Sequence, residues 1–112
     1  MTPHPLRHVA VFAFGIVLGG CVSTEQLAPP VSPQMAAVGG SPASTLESGR
    51  RLYTGRCATC HSIDPVAKHS PDRWRAIIDD MADEAELSAL EKSSVLAYVL
   101  AARSVATTAA AR

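Results

Sequence analysis

Two thiols and an imidazole lie close together in the segment Cys57–His61, whose sequence is CATCH. Thiolates and imidazoles ligate metals, and paired thiols also form reversible disulfides. A structural zinc site needs four ligands, but the sequence offers no second Cys or His pair at zinc-finger spacing. A thioredoxin-like redox pair needs a βαβ context, which the residue pattern does not predict. A structural disulfide between Cys57 and Cys60 leaves His61 without a role.

The spacing Cys-x-x-Cys-His is the motif that attaches c-type haem. The two intervening residues let both thiols reach the two vinyl groups on one edge of the porphyrin, and the following histidine reaches the iron. We therefore predict one covalent haem c, with Cys57 and Cys60 as its attachment residues and His61 as an iron ligand.

The N-terminus has the pattern of an export signal. Residues 1–20 carry a single charged side chain, followed by an apolar run over residues 9–18. Such a run rises only about 15 Å as a helix, too short for a hydrocarbon core of about 30 Å. The pattern therefore predicts a secretory signal peptide over residues 1–20.

The signal ends in Leu18–Cys21, LGGC, which resembles the lipobox of bacterial lipoproteins. The resemblance implies cleavage before Cys21 and attachment of diacylglycerol to its thiol. A plain signal cleavage that leaves a free thiol is the alternative. Val22 stands where an aspartate usually retains lipoproteins at the inner membrane, which favours the outer membrane on its periplasmic side.

The mature chain divides into a linker, a head and a tail. Residues 21–43 are predicted to form a lipidated N-terminus and a flexible linker, because prolines and glycines leave no helical or strand period. The head spans residues 44–102, and residues 103–112 form an Ala-rich tail that extends the last helix or frays. Lys+Arg and Asp+Glu both number 10, so the chain lacks the basic excess of a nucleic-acid binder.

The head is predicted to be all-α with three helices. Capping boxes at Ser44 and Ser88 and the sequence Ser70-Pro71-Asp72 mark the three helix starts. Apolar residues at helical spacing then predict the buried faces. These faces contain Leu46, Gly49, Leu52 and Tyr53; Trp74, Ile77, Ile78 and Met81; and Val95, Tyr98, Val99 and Ala102.

Gly49 and Tyr53 precede the haem motif, and Tyr98 lies in the last helix. With these residues the head resembles a small class I monohaem cytochrome c of the bacterial lipoprotein type. The resemblance covers residues 44–102 and implies that the first and last helices cross at a glycine–aromatic contact. The covalent haem would then complete a core that is small for about 60 residues.

The same resemblance implies a methionine as second axial ligand, and Met81 is the methionine that follows His61. A methionine on an apolar helical stripe often serves packing alone. His69 and an open coordination site are the alternatives. The resemblance also implies that a carbonyl of Pro65 or Pro71 accepts a hydrogen bond from the His61 ring.

These observations predict a periplasmic, membrane-tethered electron-transfer protein rather than an enzyme. Its expected partners are redox proteins and the membrane that holds the lipid on Cys21, with no nucleic acid and no small-molecule substrate. One alternative is a haem subunit docked on a larger oxidoreductase. Others are a haem sensor or peroxidase-like protein with an open sixth site, and an envelope lipoprotein without haem.

Overall fold

The computed structural model describes residues 19–112, and every regular element within them is a helix. Residues 1–18 of the predicted signal peptide lie outside the described residues. The all-α prediction is confirmed for the described part, which contains five α-helices and a 3-10 turn rather than the three helices of the predicted head. The elements are α1 (Thr24–Leu27), α2 (Pro33–Gly39), α3 (Ala43–Thr54), a 3-10 turn (Arg56–Ala58), α4 (Pro71–Ala82) and α5 (Ala89–Ala110). None of the helices within residues 19–112 is long and apolar enough to span a bilayer.

The core forms where α3 crosses α5. Leu46, Gly49 and Tyr53 are the buried residues of α3, in agreement with the predicted face. A Cβ at Gly49 would lie 2.0 Å from the carbonyl oxygen of Ser94 and 2.8 Å from the Cβ of Tyr98. The two backbones therefore meet at a distance that only glycine permits.

Helices α4 and α5 begin where the sequence predicts. The Ser70 hydroxyl accepts a hydrogen bond from the Arg73 amide at 3.2 Å, and Pro71 occupies the first turn of α4. Ser88 and Glu91 form a reciprocal capping box at the start of α5. The predicted apolar face of α5 is buried.

Helix α3 begins one residue before the predicted capping box. The Pro42 carbonyl accepts hydrogen bonds from the amides of Thr45 and Leu46 at 3.0 and 3.2 Å. Ser44 therefore lies inside the first turn rather than at its cap, and the predicted capping role of Ser44 and Glu47 is wrong.

The segment predicted to be a flexible linker is largely folded. Ser32 caps α2 by accepting a hydrogen bond from the Met35 amide at 3.2 Å, and Gly40 ends the helix with φ of 59°. Met35 is 3% exposed, and Gly39 lies close against Ala101 of α5. The prediction failed because the short α2 has little periodicity of its own and is stabilised by packing on α5.

The predicted tail continues the last helix. Helix α5 runs without interruption to Ala110, and Val105 and Ala106 pack partly against the core. The alanine-rich composition favours this extension because alanine has the highest helix propensity. The boundary predicted at residue 102 therefore does not separate two structural units.

Candidate functional site

An open cleft lies between the Cys57–His61 segment, α4 and the start of α5. It contains about 490 Å³ of space without protein atoms, a volume that includes open solvent at its mouth. Apolar and aromatic side chains form most of its lining. The lining residues are Tyr53, Cys57, His61, Ile63, Asp64, Trp74, Ile77, Ile78, Met81, Ala82, Leu87 and Val95.

The end of α3 positions the cysteine motif at this cleft. Helix α3 stops at Thr54, and the Gly55 amide donates to the Arg51 carbonyl at 3.0 Å. A Cβ at Gly55 would lie 2.8 Å from that same carbonyl oxygen, so glycine allows the chain to turn tightly here. The following 3-10 turn places the half-buried Cys57 in the cleft lining.

The other motif residues lie closer to solvent. Cys60 and His61 are both exposed, and His61 lines the cleft whereas Cys60 is absent from the lining. The structure thus brings Cys57, His61 and Met81 to one cleft and leaves Cys60 at the surface beside it.

Burial raises the pKa of the Cys57 thiol above its ordinary value. A raised pKa keeps the thiol protonated, whereas reactive redox cysteines require a lowered pKa. Within residues 19–112, no three His, Cys, Asp or Glu side chains are grouped as a metal site. The raised pKa of the Cys57 thiol therefore differs from that of a typical redox-active cysteine.

The His61 ring is oriented by its immediate neighbour. Its Nδ1–H donates to the Ser62 carbonyl at 2.9 Å, which leaves Nε2 as the nitrogen with a lone pair for a ligand bond. The prediction that the His61 ring donates to the carbonyl of Pro65 or Pro71 is wrong. The Pro65 carbonyl instead accepts from the Lys68 amide at 2.9 Å, and Pro71 lies in the first turn of α4.

Met81 and His69, which the sequence analysis gave as alternatives for a second axial ligand, lie in different environments. Met81 is half-buried and lines the cleft. His69 is absent from the lining, and its Nε2 donates to the Asp64 carboxylate at 2.6 Å. The His69 ring also packs edge-on against Trp74, with ring centroids 4.9 Å apart.

Asp64 organises the loop after the motif, a role that no sequence signal predicted. Its carboxylate accepts hydrogen bonds from Lys68 and His69, which hold the pKa of Asp64 below its ordinary value. Its backbone carbonyl accepts from the buried Tyr53 hydroxyl. Burial raises the pKa of Tyr53, so this hydroxyl remains protonated as a donor.

Arg56 connects the motif to the loop between α4 and α5. Its guanidinium donates to the Glu86 carbonyl at 3.1 Å and to the Glu91 carboxylate at 3.0 Å. Glu86 has φ of 54°, in the left-handed region. Hydrogen bonding to the Ser88 backbone, aided by Arg56, lowers the pKa of Glu91. Arg56 therefore bridges two segments that flank the cleft.

A family model described as mono-CXXC, a single CXXC unit, matches residues 54–99. Over this stretch the chain is similar to single-CXXC proteins. The matched range includes every residue of the cleft lining except Tyr53. No curated protein and no solved structure matches the chain.

This result corrects the expected relationship to class I monohaem cytochromes c of the lipoprotein type. The matching family model is defined by its CXXC unit and is not a cytochrome c model. The close helix crossing that the resemblance implied is present at Gly49, but a glycine lets any two helices approach closely. Such a contact therefore does not specify a family.

Proposed function

We propose that this protein attaches one haem c through Cys57 and Cys60 and carries single electrons. The observation that best supports this function is that Cys57, His61 and Met81 line the same apolar cleft. The motif supplies two thiols and an imidazole, and α4 supplies a thioether. This donor set and the largely apolar lining fit a haem c with His/Met ligation.

Each protein group has a separate role in this proposal. The Cys57 and Cys60 thiols would hold the haem by adding to its two vinyl groups, with each sulfur bonding to one carbon and each thiol proton passing to the neighbouring carbon. His61 would bind the iron through Nε2, while its Nδ1–H donates to the Ser62 carbonyl. Met81 would hold the iron through its sulfur. When bound, the haem supplies reversible one-electron chemistry at its iron.

The cleft lining favours electron transfer over substrate chemistry. Trp74 and Ile78 are buried and Ile77 is half-buried, so these side chains exclude water from the α4 wall. Asp64 contributes a carboxylate, but Lys68 and His69 already bind it. Met81, as a ligand of the haem iron, would keep dioxygen and peroxide from binding there.

The proposed location follows from the N-terminal motifs. Residues 1–20 direct export, and Cys21 carries the lipid that holds the mature protein on the periplasmic side of a bacterial membrane, with the outer membrane favoured. Cys21 and Val22 are exposed, which suits attachment to a bilayer. The partners are redox proteins that exchange electrons with the haem.

Intact-mass measurement tests the covalent attachment. The mature protein is produced in a host that attaches c-type haem, and it is expected to gain the mass of one haem. Double substitution of Cys57 and Cys60 by Ala removes this gain, whereas His69→Ala retains it. An unmodified mass for the wild-type chain in that host contradicts the proposal.

A further inference from the structure

The chain directly after Cys21 is fixed to the head. The N-terminal arm, defined as residues 24–39, begins with α1, and the Leu27 carbonyl accepts a hydrogen bond from the Val66 amide at 2.9 Å. The Val66 carbonyl in turn accepts from the Trp74 indole N–H at 2.9 Å. Val66 is 2% exposed, so these backbone bonds are shielded from water. The arm is thereby linked to a wall of the cleft.

A second set of contacts fixes the arm next to α1. The Pro29 carbonyl accepts from the Tyr98 hydroxyl at 2.7 Å and from Arg50 Nε at 3.2 Å. Arg50 Nε also lies 3.1 Å from the Ala28 carbonyl, and Ala28 is fully buried. Burial raises the pKa of Tyr98 to about 12, which keeps its hydroxyl protonated. The arm is therefore part of the folded head.

Little chain remains between Cys21 and this fixed arm. Only Val22 and Ser23 separate Cys21 from Thr24, and the Ser23 amide is already bonded to the Gln26 side chain at 2.9 Å. Three residue steps span about 11 Å at full extension. A flexible segment over residues 22–43 would instead span about 25 Å on average.

We infer that the lipid on Cys21 holds the head directly against the bilayer surface, with α1 facing the lipid. This inference rests on the lipid attachment in the proposed function. Val22 is 67% exposed, so its apolar side chain is available to the membrane interface beside the anchor. Val66 joins the arm to the loop that follows His61, so the arm and this loop keep a fixed position relative to each other.

This arrangement restricts the class of electron partner. A head on a long tether reaches soluble proteins at many distances from the membrane, whereas a head held at the bilayer meets partners at a nearly constant height. A redox partner therefore has to present its electron-exchanging surface at that height above the lipid headgroups.

Neutron reflectometry on a supported bilayer measures the separation between the lipid headgroups and the head. The lipidated full-length mature protein is compared with a variant that has twenty Gly/Ser residues inserted between Val22 and Ser23. We expect a water layer of about 11 Å or less for wild type. The insertion is expected to move the head outward by about 25 Å on average. The same twenty residues added after Arg112 provide a mass-matched control that leaves the connection to Cys21 unchanged.

A wild-type layer as distant and diffuse as that of the insertion variant overturns the inference. Mass spectrometry of the N-terminal peptide checks the lipid on Cys21, and its absence also overturns the inference. Haem content is measured separately by absorption. A head that lies close to the bilayer but holds no haem supports this inference and contradicts the electron-transfer proposal. The two failures are therefore distinguishable.

Discussion

Gly49 of α3 lies against the backbone of Ser94 in α5, where an added Cβ would stand 2.0 Å from the Ser94 carbonyl oxygen. Backbone atoms cannot rotate away as a flexible side chain can. The crossing of α3 and α5 therefore requires glycine at position 49, because no side chain fits there.

Gly49→Ala is expected to destabilise the protein by about 3 kcal/mol, because the two helices must separate. Urea unfolding followed by circular dichroism measures the change. Ser44→Ala, at an exposed position in the same helix, is the matched control and is expected to change stability by less than about 0.5 kcal/mol. Equal stabilities of the two variants would disprove the close crossing.

The two serines that the sequence marked as the start of a capping box are expected to differ in their effects on stability. Ser88→Ala removes a hydroxyl that accepts from the Glu91 amide at 3.2 Å, and we expect a loss of about 1 kcal/mol. Ser44→Ala removes no capping bond, because the Pro42 carbonyl begins α3. Thermal unfolding of the two variants measures the difference. A larger loss for Ser44→Ala would restore the capping box predicted at that position.

Sequence patterns predicted the structure correctly where interactions between residues close in the chain determine it. The starts of α4 and α5 follow from Ser70 and Ser88, and their buried faces follow from apolar spacing. The CATCH segment and Met81 were also identified from sequence as candidate site residues, and the structure places Cys57, His61 and Met81 at one cleft.

Long-range contacts determine the features that sequence reasoning missed. Met35 is buried because α2 packs on α5, and Pro29 is fixed by a hydroxyl 69 positions away. Neither contact leaves a local pattern in a segment rich in proline and glycine. Asp64 was missed because its role depends on the loop fold that brings Tyr53 to its carbonyl and His69 to its carboxylate.

Tyr98→Phe is expected to loosen the N-terminal arm without unfolding the core. The substitution removes the hydrogen bond to the Pro29 carbonyl but keeps the buried ring, so we expect a loss of about 1 kcal/mol. Hydrogen–deuterium exchange should accelerate in residues 24–31. Tyr53→Phe, which removes the bond to the Asp64 carbonyl, serves as the control and should leave exchange in that segment unchanged. Equal exchange in wild type and Tyr98→Phe would contradict the role of Tyr98.

The free energy of unfolding is expected to fall in acid because the Asp64 carboxylate becomes protonated. Hydrogen bonds from Lys68 and His69 lower the folded-state pKa of Asp64 below its ordinary value of 3.8. The ionised carboxylate therefore stabilises the fold above the unfolded-state pKa, and this stabilisation disappears as the pH falls through the folded-state pKa. Wild type should be more stable than Asp64→Asn at pH 6, and the difference should shrink below pH of about 4. Urea unfolding across this range measures the effect, and a pH-independent difference would refute it.

The absorption spectrum of the mature protein from a host that attaches c-type haem tests the central claim most directly. The account predicts a sharp c-type α-band after reduction with dithionite and a far-red methionine–ferric band in the oxidised form. Met81→Leu should lose the far-red band, and His69→Ala should retain it. A c-type spectrum without that band in wild type contradicts Met81 as ligand. A wild-type protein without any haem spectrum contradicts the account as a whole.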